Sequence, residues 1–284
     1  MVSDFQNIEE KFFIVNDLKI HTIISGQGEP IFLLHGFPDF WYGWKKIIDG
    51  LNDEFRLIVP DLRGYNLSDK PNDVEEYQVE YLIDDVKKLS QKLNIEKFTL
   101  VGHDWGGVIS WIFAENYPGL LNKLIILNAP HPKIFQDKLK TSDTQKKASS
   151  YIFEFLKPNG EKNLLRNNYQ LLKLAVFGTA KNRKAFSEED KQKYVEAWSQ
   201  PGAITAGVNY YRANRTYEGL TGNVNVPTLV MHGLKDRFVT PRVLDGLSEY
   251  VEDLKVKKNP KASHWIMHDD PDFVIKNIRE FVKT

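Results

Sequence analysis

Phe98-Thr99-Leu100-Val101-Gly102-His103-Asp104-Trp105-Gly106-Gly107 is a run of strand-forming residues that ends in a glycine-flanked turn. From Val108 to Asn116 the apolar residues recur at helical spacing. A strand, a very tight turn and a helix make a nucleophile elbow, where small residues two before and two after the central one let the backbone reverse sharply. Gly102 and Gly106 hold those positions, so the side chain presented is that of Asp104. A carboxylate is ionised at neutral pH, and the helix N-terminus behind it favours the charge. It needs no base to activate it. Displacement at an sp³ carbon leaves an ester on the protein that water can later hydrolyse at its carbonyl, so the stretch predicts alkyl transfer followed by hydrolysis. The bland alternative is a tightly packed glycine turn with Asp104 as a helix cap.

Upstream, Lys11–Val15 and Lys19–Ser25 read as strands around the turn signal Asn16-Asp17, an antiparallel hairpin at a sheet edge. Ile31-Phe32-Leu33-Leu34 is a continuous apolar run of the kind that a parallel strand shows when both faces are covered. It runs into His35-Gly36-Phe37-Pro38, a turn at the strand end where open α/β sheets bind ligands. Beside Asp104, that turn lends the Phe37 backbone N–H to an oxyanion hole, with the Trp105 N–H as second donor. A helix follows over Phe40–Leu51, a strand over Phe55–Val59, and then a charged loop over Asp61–Pro71 that reads as structural. Tyr77–Leu93 is an amphipathic helix with Tyr81, Leu82, Val86, Leu89 and Leu93 on one side.

Downstream, Leu124–Leu127 is another buried strand, closing with Asn128-Ala129-Pro130-His131-Pro132. Strands and helices alternate to this point, as in a doubly wound parallel sheet. From about Lys133 to Gly222 no buried-strand run occurs, and segments rich in Lys, Gln, Glu and aromatics predict a helical insertion. Sheet character returns at Val226–Met231, followed by the turn that holds Asp236. A helix over Val243–Val251, a strand over Leu254–Val256, the segment leading to His264-Trp265 and a helix over Pro271–Val282 complete the chain.

Composition narrows the partners. Hydrophobic residues make up 42% and charged residues 27% of 284, an ordinary globular balance. With 38 basic against 38 acidic residues and no dense basic run, nucleic acid is not an expected partner. The absence of cysteine removes disulfides, thiolate chemistry and sulfur-based zinc sites. Met1–Glu10 has neither a basic nor an apolar leader region, and no apolar run approaches the roughly 20 residues of a membrane span. A cytoplasmic monomer or homodimer is the expectation.

Asp104, Asp236 and His264 stand in the order nucleophile, acid, histidine, each just after a predicted strand, which is the triad order of the α/β-hydrolase fold. With the oxyanion turn at His35–Pro38, the elbow at Gly102–Gly107, Asn128–Pro132 and Ser263-His264-Trp265, the chain resembles the epoxide hydrolase family over nearly its whole length. The resemblance implies a mostly parallel eight-stranded sheet flanked by helices, with a helical cap inserted after the sixth strand. The core would span 1–132 and 223–284, and the cap 133–222. It also implies that two cap tyrosines bind the epoxide oxygen, falling on Tyr151 and on Tyr211, with Tyr210 as the adjacent alternative for the second. Water and a small apolar epoxide would be the substrates, the product a vicinal diol, and no metal or organic cofactor is implied. His35, Pro38, Trp105, His131, Phe155, Tyr210 and Trp265 are expected to border the pocket. His35 and His103 would also brace their turns, and His21, His232 and His268 read as structural.

Two rivals remain at this stage. A haloalkane or haloacid dehalogenase uses the same aspartate and ester, but a departing halide needs N–H donors rather than phenols. Relatives of that kind carry Asn where Phe37 stands, and the fluoroacetate type carries Arg where Trp105 stands. A non-catalytic binding or receptor protein on the same scaffold would keep the pocket and lose the turnover groups.

Overall fold

The computed structural model describes residues 8–217 and 219–284. The reading of Met1–Glu10 as leaderless therefore falls mostly outside the described residues. Eight strands form one sheet in the order β1-β2-β4-β3-β5-β6-β7-β8. They are β1 Ile8–Val15, β2 Leu18–Ser25, β3 Glu29–Leu34, β4 Phe55–Pro60, β5 Phe98–His103, β6 Leu121–Leu127, β7 Thr228–Gly233 and β8 Leu254–Asn259. β1 and β2 are antiparallel, as are β2 and β4, and every other pair is parallel.

Local chemistry explains the pairing. Asn16 and Asp17 both take left-handed φ, +50° and +61°, which suits the two-residue turn of a twisted hairpin. All six residues of β5 are buried, as are the last four of β3 and of β6, because helices cover both faces. The outer strand β8 instead carries Lys255, Lys257 and Lys258 exposed, a charged edge that discourages pairing with another chain.

Chain order reverses between β3 and β5, which lie side by side with Leu34 opposite Gly102. This switch point brings the turn after β3 against the turn after β5, and so creates the crevice in which open sheets place their chemistry.

The helices are α1 Lys45–Leu51, α2 Val79–Lys92 and α3 Trp105–Asn116, then α4 Pro132–Thr141, α5 Asp143–Ala148, α6 Ser150–Phe155, α7 Lys162–Lys173, α8 Glu188–Trp198 and α9 Ala203–Ala213. α10 Ile266–Asp269 and α11 Pro271–Val282 end the chain. α3 is apolar around most of its circumference and its first ten residues are all buried, which makes it the central helix behind the crevice. α11 begins where Pro271 fixes φ and the Asp270 carboxylate accepts the Phe273 N–H.

α4 to α9 separate β6 from β7 and lean on the crevice loops. Trp198 Nε1 donates to the Pro38 carbonyl at 2.6 Å, and Tyr210 Oη donates to the Arg63 carbonyl at 2.7 Å. α7 is interrupted at Arg166–Tyr169, where Asn167, Asn168 and Tyr169 have positive φ.

The Asp61–Pro71 loop is structural. Arg63 forms a two-pronged pair with Asp85, both contacts 2.6 Å, and donates to the Glu76 carbonyl at 2.6 Å. Asp61 accepts from the Trp41 N–H and from Asn66, and its carboxylate meets His21 Nδ1 at 2.6 Å.

Three sequence expectations are corrected. Val243–Val251 is not a helix but two 3₁₀ turns, Pro241–Leu244 and Leu247–Glu249, divided by Gly246 at φ +91°. The glycine takes a left-handed conformation that an α-helix does not contain. Tyr81 is 45% exposed, outside the buried face of α2 on which the spacing placed it. Its ring lies 5.5 Å from the Arg63 guanidinium instead. The expected Phe40–Leu51 helix also divides, into a 3₁₀ turn Trp41–Trp44 and α1.

Candidate active site

The elbow is built by close approach. A Cβ on Gly102 would sit 2.3 Å from the Gly106 carbonyl oxygen, and one on Gly106 would sit 2.2 Å from that of Leu34. Neither position tolerates a side chain, so the turn tightens until Asp104 takes φ +50° and ψ −120°. A non-glycine residue there costs roughly 1–3 kcal/mol, which the packing of β5 and α3 must supply. Asp104 precedes α3 but makes no side-chain capping bond, so the cap alternative does not describe it.

Asp104's two carboxylate oxygens have different neighbours. Oδ1 accepts the Phe37 backbone N–H at 2.8 Å, and Oδ2 lies 3.5 Å from His264 Nε2. Trp105 opens α3, so its N–H belongs to the group of helix N-terminal donors without an intrahelical acceptor. His264 Nδ1 meets Asp236 Oδ2 at 2.9 Å. Asp236 is fixed in turn: Oδ1 accepts from the Phe238 and Val239 N–H groups at 2.8 and 2.9 Å, and Oδ2 accepts from Asn128 Nδ2 at 2.7 Å.

These contacts set the protonation states. Burial alone would lower the His264 pKa, but the Asp236 charge and the contact with Asp104 outweigh it and push the group up to about 10. Burial opposes ionisation of Asp236 as well, yet His264 and Asn128 hold its carboxyl below the ordinary range. His103 packs its ring 4.7 Å from that of His264 and bonds the His264 carbonyl through Nε2 at 2.9 Å. Burial pushes its pKa down to about 4, so it stays neutral beside the charged imidazole.

Two cavities meet at Asp104, Tyr151 and Tyr211, which border both. The first, about 280 Å³, is also bounded by Pro38, Phe155, Phe238, His264 and Trp265. The second, about 190 Å³, lies between Trp105 at the start of α3 and the helices α4, α6 and α9. Burial and the nearby Asp104 charge both push the Tyr151 phenol above its usual range, and burial with the neighbouring Tyr151 does the same to Tyr211. Both phenols remain protonated donors at neutral pH.

Asp104, Asp236, His264, Tyr151, Tyr211 and Phe37 are thus brought together, with Pro38, Trp105, Phe155 and Trp265 around them. His35, His131 and Tyr210 are not among the described residues bordering either cavity, which corrects their placement in the pocket. His35 is consumed behind the oxyanion turn, with Nδ1 2.9 Å from the Gly36 carbonyl and Nε2 accepting the Leu62 N–H at 3.0 Å. His131 bonds the Gly222 carbonyl at 2.9 Å and stacks on Tyr250. Tyr210 is fully buried and spends its hydroxyl on the Arg63 carbonyl.

Asn128 was read from the sequence only as the start of the Asn128–Pro132 stretch, with no role in the site, and Phe238 was not singled out. Asn128 ties Asp236 to β7 by also accepting the Gly233 N–H at 3.1 Å, and its only sequence signal is an Asn at a strand end before Ala-Pro. Among the described residues no group of three or more His, Asp or Glu side chains is arranged to hold a metal ion.

The profile of the α/β-hydrolase fold family matches residues 29–271. The AB hydrolase superfamily protein YfhM of Bacillus subtilis is 38% identical, with 96% of this chain and 98% of the relative covered. Human epoxide hydrolase 4 is 35% identical across 94% of this chain and 76% of its own. The chain belongs to the epoxide hydrolase family of α/β-hydrolases. A family member of known structure, the Bacillus megaterium epoxide hydrolase in complex with an inhibitor, superposes with a TM-score of 0.92 at 34% identity, covering 96% of this chain and 100% of the other. Among the described residues no helix is long and apolar enough to cross a membrane.

Proposed function

We propose that the protein hydrolyses an epoxide to a vicinal diol through an ester on Asp104, with residues 133–222 acting as the cap that carries the acid. The observation that carries this reading is the convergence of two phenols, Tyr151 and Tyr211, on the space in front of Asp104. A departing alkoxide needs a proton, and a protonated phenol can donate one at a pH where a carboxylic acid would be ionised. Halide departure needs no such donor.

In the first half, Asp104 Oδ2 attacks one epoxide carbon, the C–O bond breaks, and the alkoxide takes its proton at the tyrosine pair. Oδ1, already held by the Phe37 N–H, becomes the ester carbonyl oxygen. Ester formation also removes the Asp104 charge. That charge is one of the two that hold His264 protonated, so the proton affinity of His264 falls as the ester forms; its proton passes back to the tyrosinate left by the first half, and the neutral imidazole is free to act as a base. In the second half, His264 takes a proton from water, the hydroxide adds to the ester carbonyl, and the Phe37 and Trp105 N–H groups stabilise the oxyanion, a contribution of order 3 kcal/mol for one donor. Collapse breaks the ester C–O bond, the departing alkoxide takes its proton from His264 and leaves as the diol, and the new Asp104 carboxyl returns a proton to His264, which restores the starting carboxylate and imidazolium.

The discriminating experiment is turnover of a mixed panel of terminal epoxides and haloalkanes. Diol formation without halide release supports the reading. Halide release without diol would replace it with the dehalogenase reading.

A further inference from the structure

Tyr151 is carried by a pair of short helices with little core to hold them. α5 buries only Gln145, and α6 buries only Phe155. Gln145 is fully enclosed and commits its whole amide. Nε2 donates to the Ser149 hydroxyl and to the Phe238 carbonyl, both at 2.8 Å. Oε1 accepts from the Thr240 N–H at 2.9 Å and from the Thr240 hydroxyl at 2.8 Å. A backbone N–H can only donate and a carbonyl only accept, so these partners fix which way the amide points. Ser149 immediately precedes α6, whereas Phe238 and Thr240 lie in the loop after Asp236. One amide therefore joins the helix of the proposed acid to the loop of the triad acid, across 93 residues of chain.

The dependence runs one way. The loop keeps its own anchors whatever stands at 145: the Phe238 and Val239 N–H groups and Asn128 hold Asp236, and His232 Nε2 meets the Val239 carbonyl at 3.1 Å. α6 is held at its far end by Arg212, which donates to the Phe155 carbonyl at 3.1 Å, and at its near end, where Tyr151 stands, through Ser149 and Gln145.

We propose that Gln145 is a positioning residue for ring opening, which fastens the start of α6 to the Asp236 loop and so holds the Tyr151 phenol in place over Asp104. This deepens the epoxide reading and rests on Tyr151 as acid. A displaced acid slows ester formation, while the hydrolytic half, served by His264 and Asp236, keeps its geometry.

Ester formation from styrene oxide is timed by intact-mass spectrometry in the His264→Gln background, with and without Gln145→Met, a substitution of similar length that removes all four bonds. A displacement of about 1 Å costs up to about 100-fold, so the ester should form about 10- to 100-fold more slowly. With His264 present, no ester should build up in Gln145→Met, because hydrolysis keeps pace. Gln145→Glu is the conservative variant. A protonated carboxyl can donate to the Phe238 carbonyl and accept from Thr240, an ionised one cannot donate, and a buried glutamic acid titrates as high as about pH 8–9. Its rate of ester formation, relative to glutamine at the same pH, should therefore recover as pH falls from about 9 to about 6. Unchanged ester formation in Gln145→Met, ester that builds up with His264 present, or a Gln145→Glu deficit that ignores pH overturns the assignment. If Gln145→Met does not fold, Ser149→Ala removes one bond of the four and should slow ester formation about two- to ten-fold, and an unchanged rate overturns the assignment equally. If neither ester nor diol forms from styrene oxide, the epoxide reading fails, and hydrogen exchange decides on the clamp by itself. The α6 amides should then exchange faster in Gln145→Met than in wild type, with those of β7 unchanged. Equal exchange in α6, or faster exchange in both elements, overturns it.

Discussion

Phe37 donates its backbone N–H to Asp104 Oδ1 at 2.8 Å, so the proposed oxyanion donor is already bonded to the proposed nucleophile. That contact makes the two carboxylate oxygens unequal. In the proposed mechanism Oδ1 becomes the ester carbonyl oxygen and Oδ2 attacks. Because backbone supplies the donor, side-chain replacement at Phe37 reshapes the pocket wall without removing the bond.

Tyr210 and Tyr211 are neighbours with opposite assignments. Tyr211→Phe removes a proposed proton donor and should lower kcat/KM on an epoxide by about 100- to 10,000-fold, with the Tyr151→Phe/Tyr211→Phe pair lower still and both variants folded. Tyr210→Phe removes only the bond to the Arg63 carbonyl and should cost about 1 kcal/mol of stability by urea unfolding. The reverse pattern would exchange the two residues.

His264 should report on its carboxylates. Asp236→Asn removes the largest influence that raises its pKa to about 10, and Asp104→Asn removes the next, so the imidazole pKa followed by NMR should fall in both variants and further in Asp236→Asn. Linkage gives the matching stability statement. A pKa raised above the ordinary 6.5 stabilises the fold fully below about pH 6.5, and that stabilisation is lost as pH rises through about 10. The stability lost on His264→Gln should therefore shrink across that interval in thermal unfolding.

His264→Gln should also stall the second half. Intact-mass spectrometry after mixing with a reactive epoxide should show the protein heavier by one substrate, because the ester forms and no base activates water. A variant that shows no adduct and still turns over would remove His264 from the hydrolytic step.

Arg63 and Asp85 test the structural reading of the charged loop. Their two 2.6 Å contacts are buried, so Asp85→Ala strands a guanidinium and should cost about 3–5 kcal/mol, measured as a lower urea midpoint. A change within 0.5 kcal/mol would show that water or the Glu76 carboxylate compensates.

Much of this arrangement was legible because backbone geometry demands particular residues. Gly102 and Gly106 marked the elbow, Asn16-Asp17 marked the hairpin, and Pro271 marked the start of the last helix at the residue where it begins. Side-chain direction was harder to read. His35, His131 and Tyr210 are aromatic or polar residues near the pocket in sequence, and each turns instead toward a backbone partner that only the folded chain supplies. Tyr81 shares the apolar spacing of α2 yet lies over the buried Arg63 guanidinium with its outer side exposed, because a ring can pack against a cation as well as against a core. The role of Asn128, quoted only as the start of a motif, was not legible because its partners, Asp236 and Gly233, are more than a hundred residues away and meet it only through the pairing of β6 with β7.

The ester on Asp104 is the central claim, and a single turnover in ¹⁸O-labelled water tests it most directly. With protein in excess over a terminal epoxide, the diol should be unlabelled and the peptide that contains Asp104 should gain one heavy oxygen. A labelled diol with an unlabelled Asp104 peptide would mean that water attacks the epoxide itself, and would contradict the account.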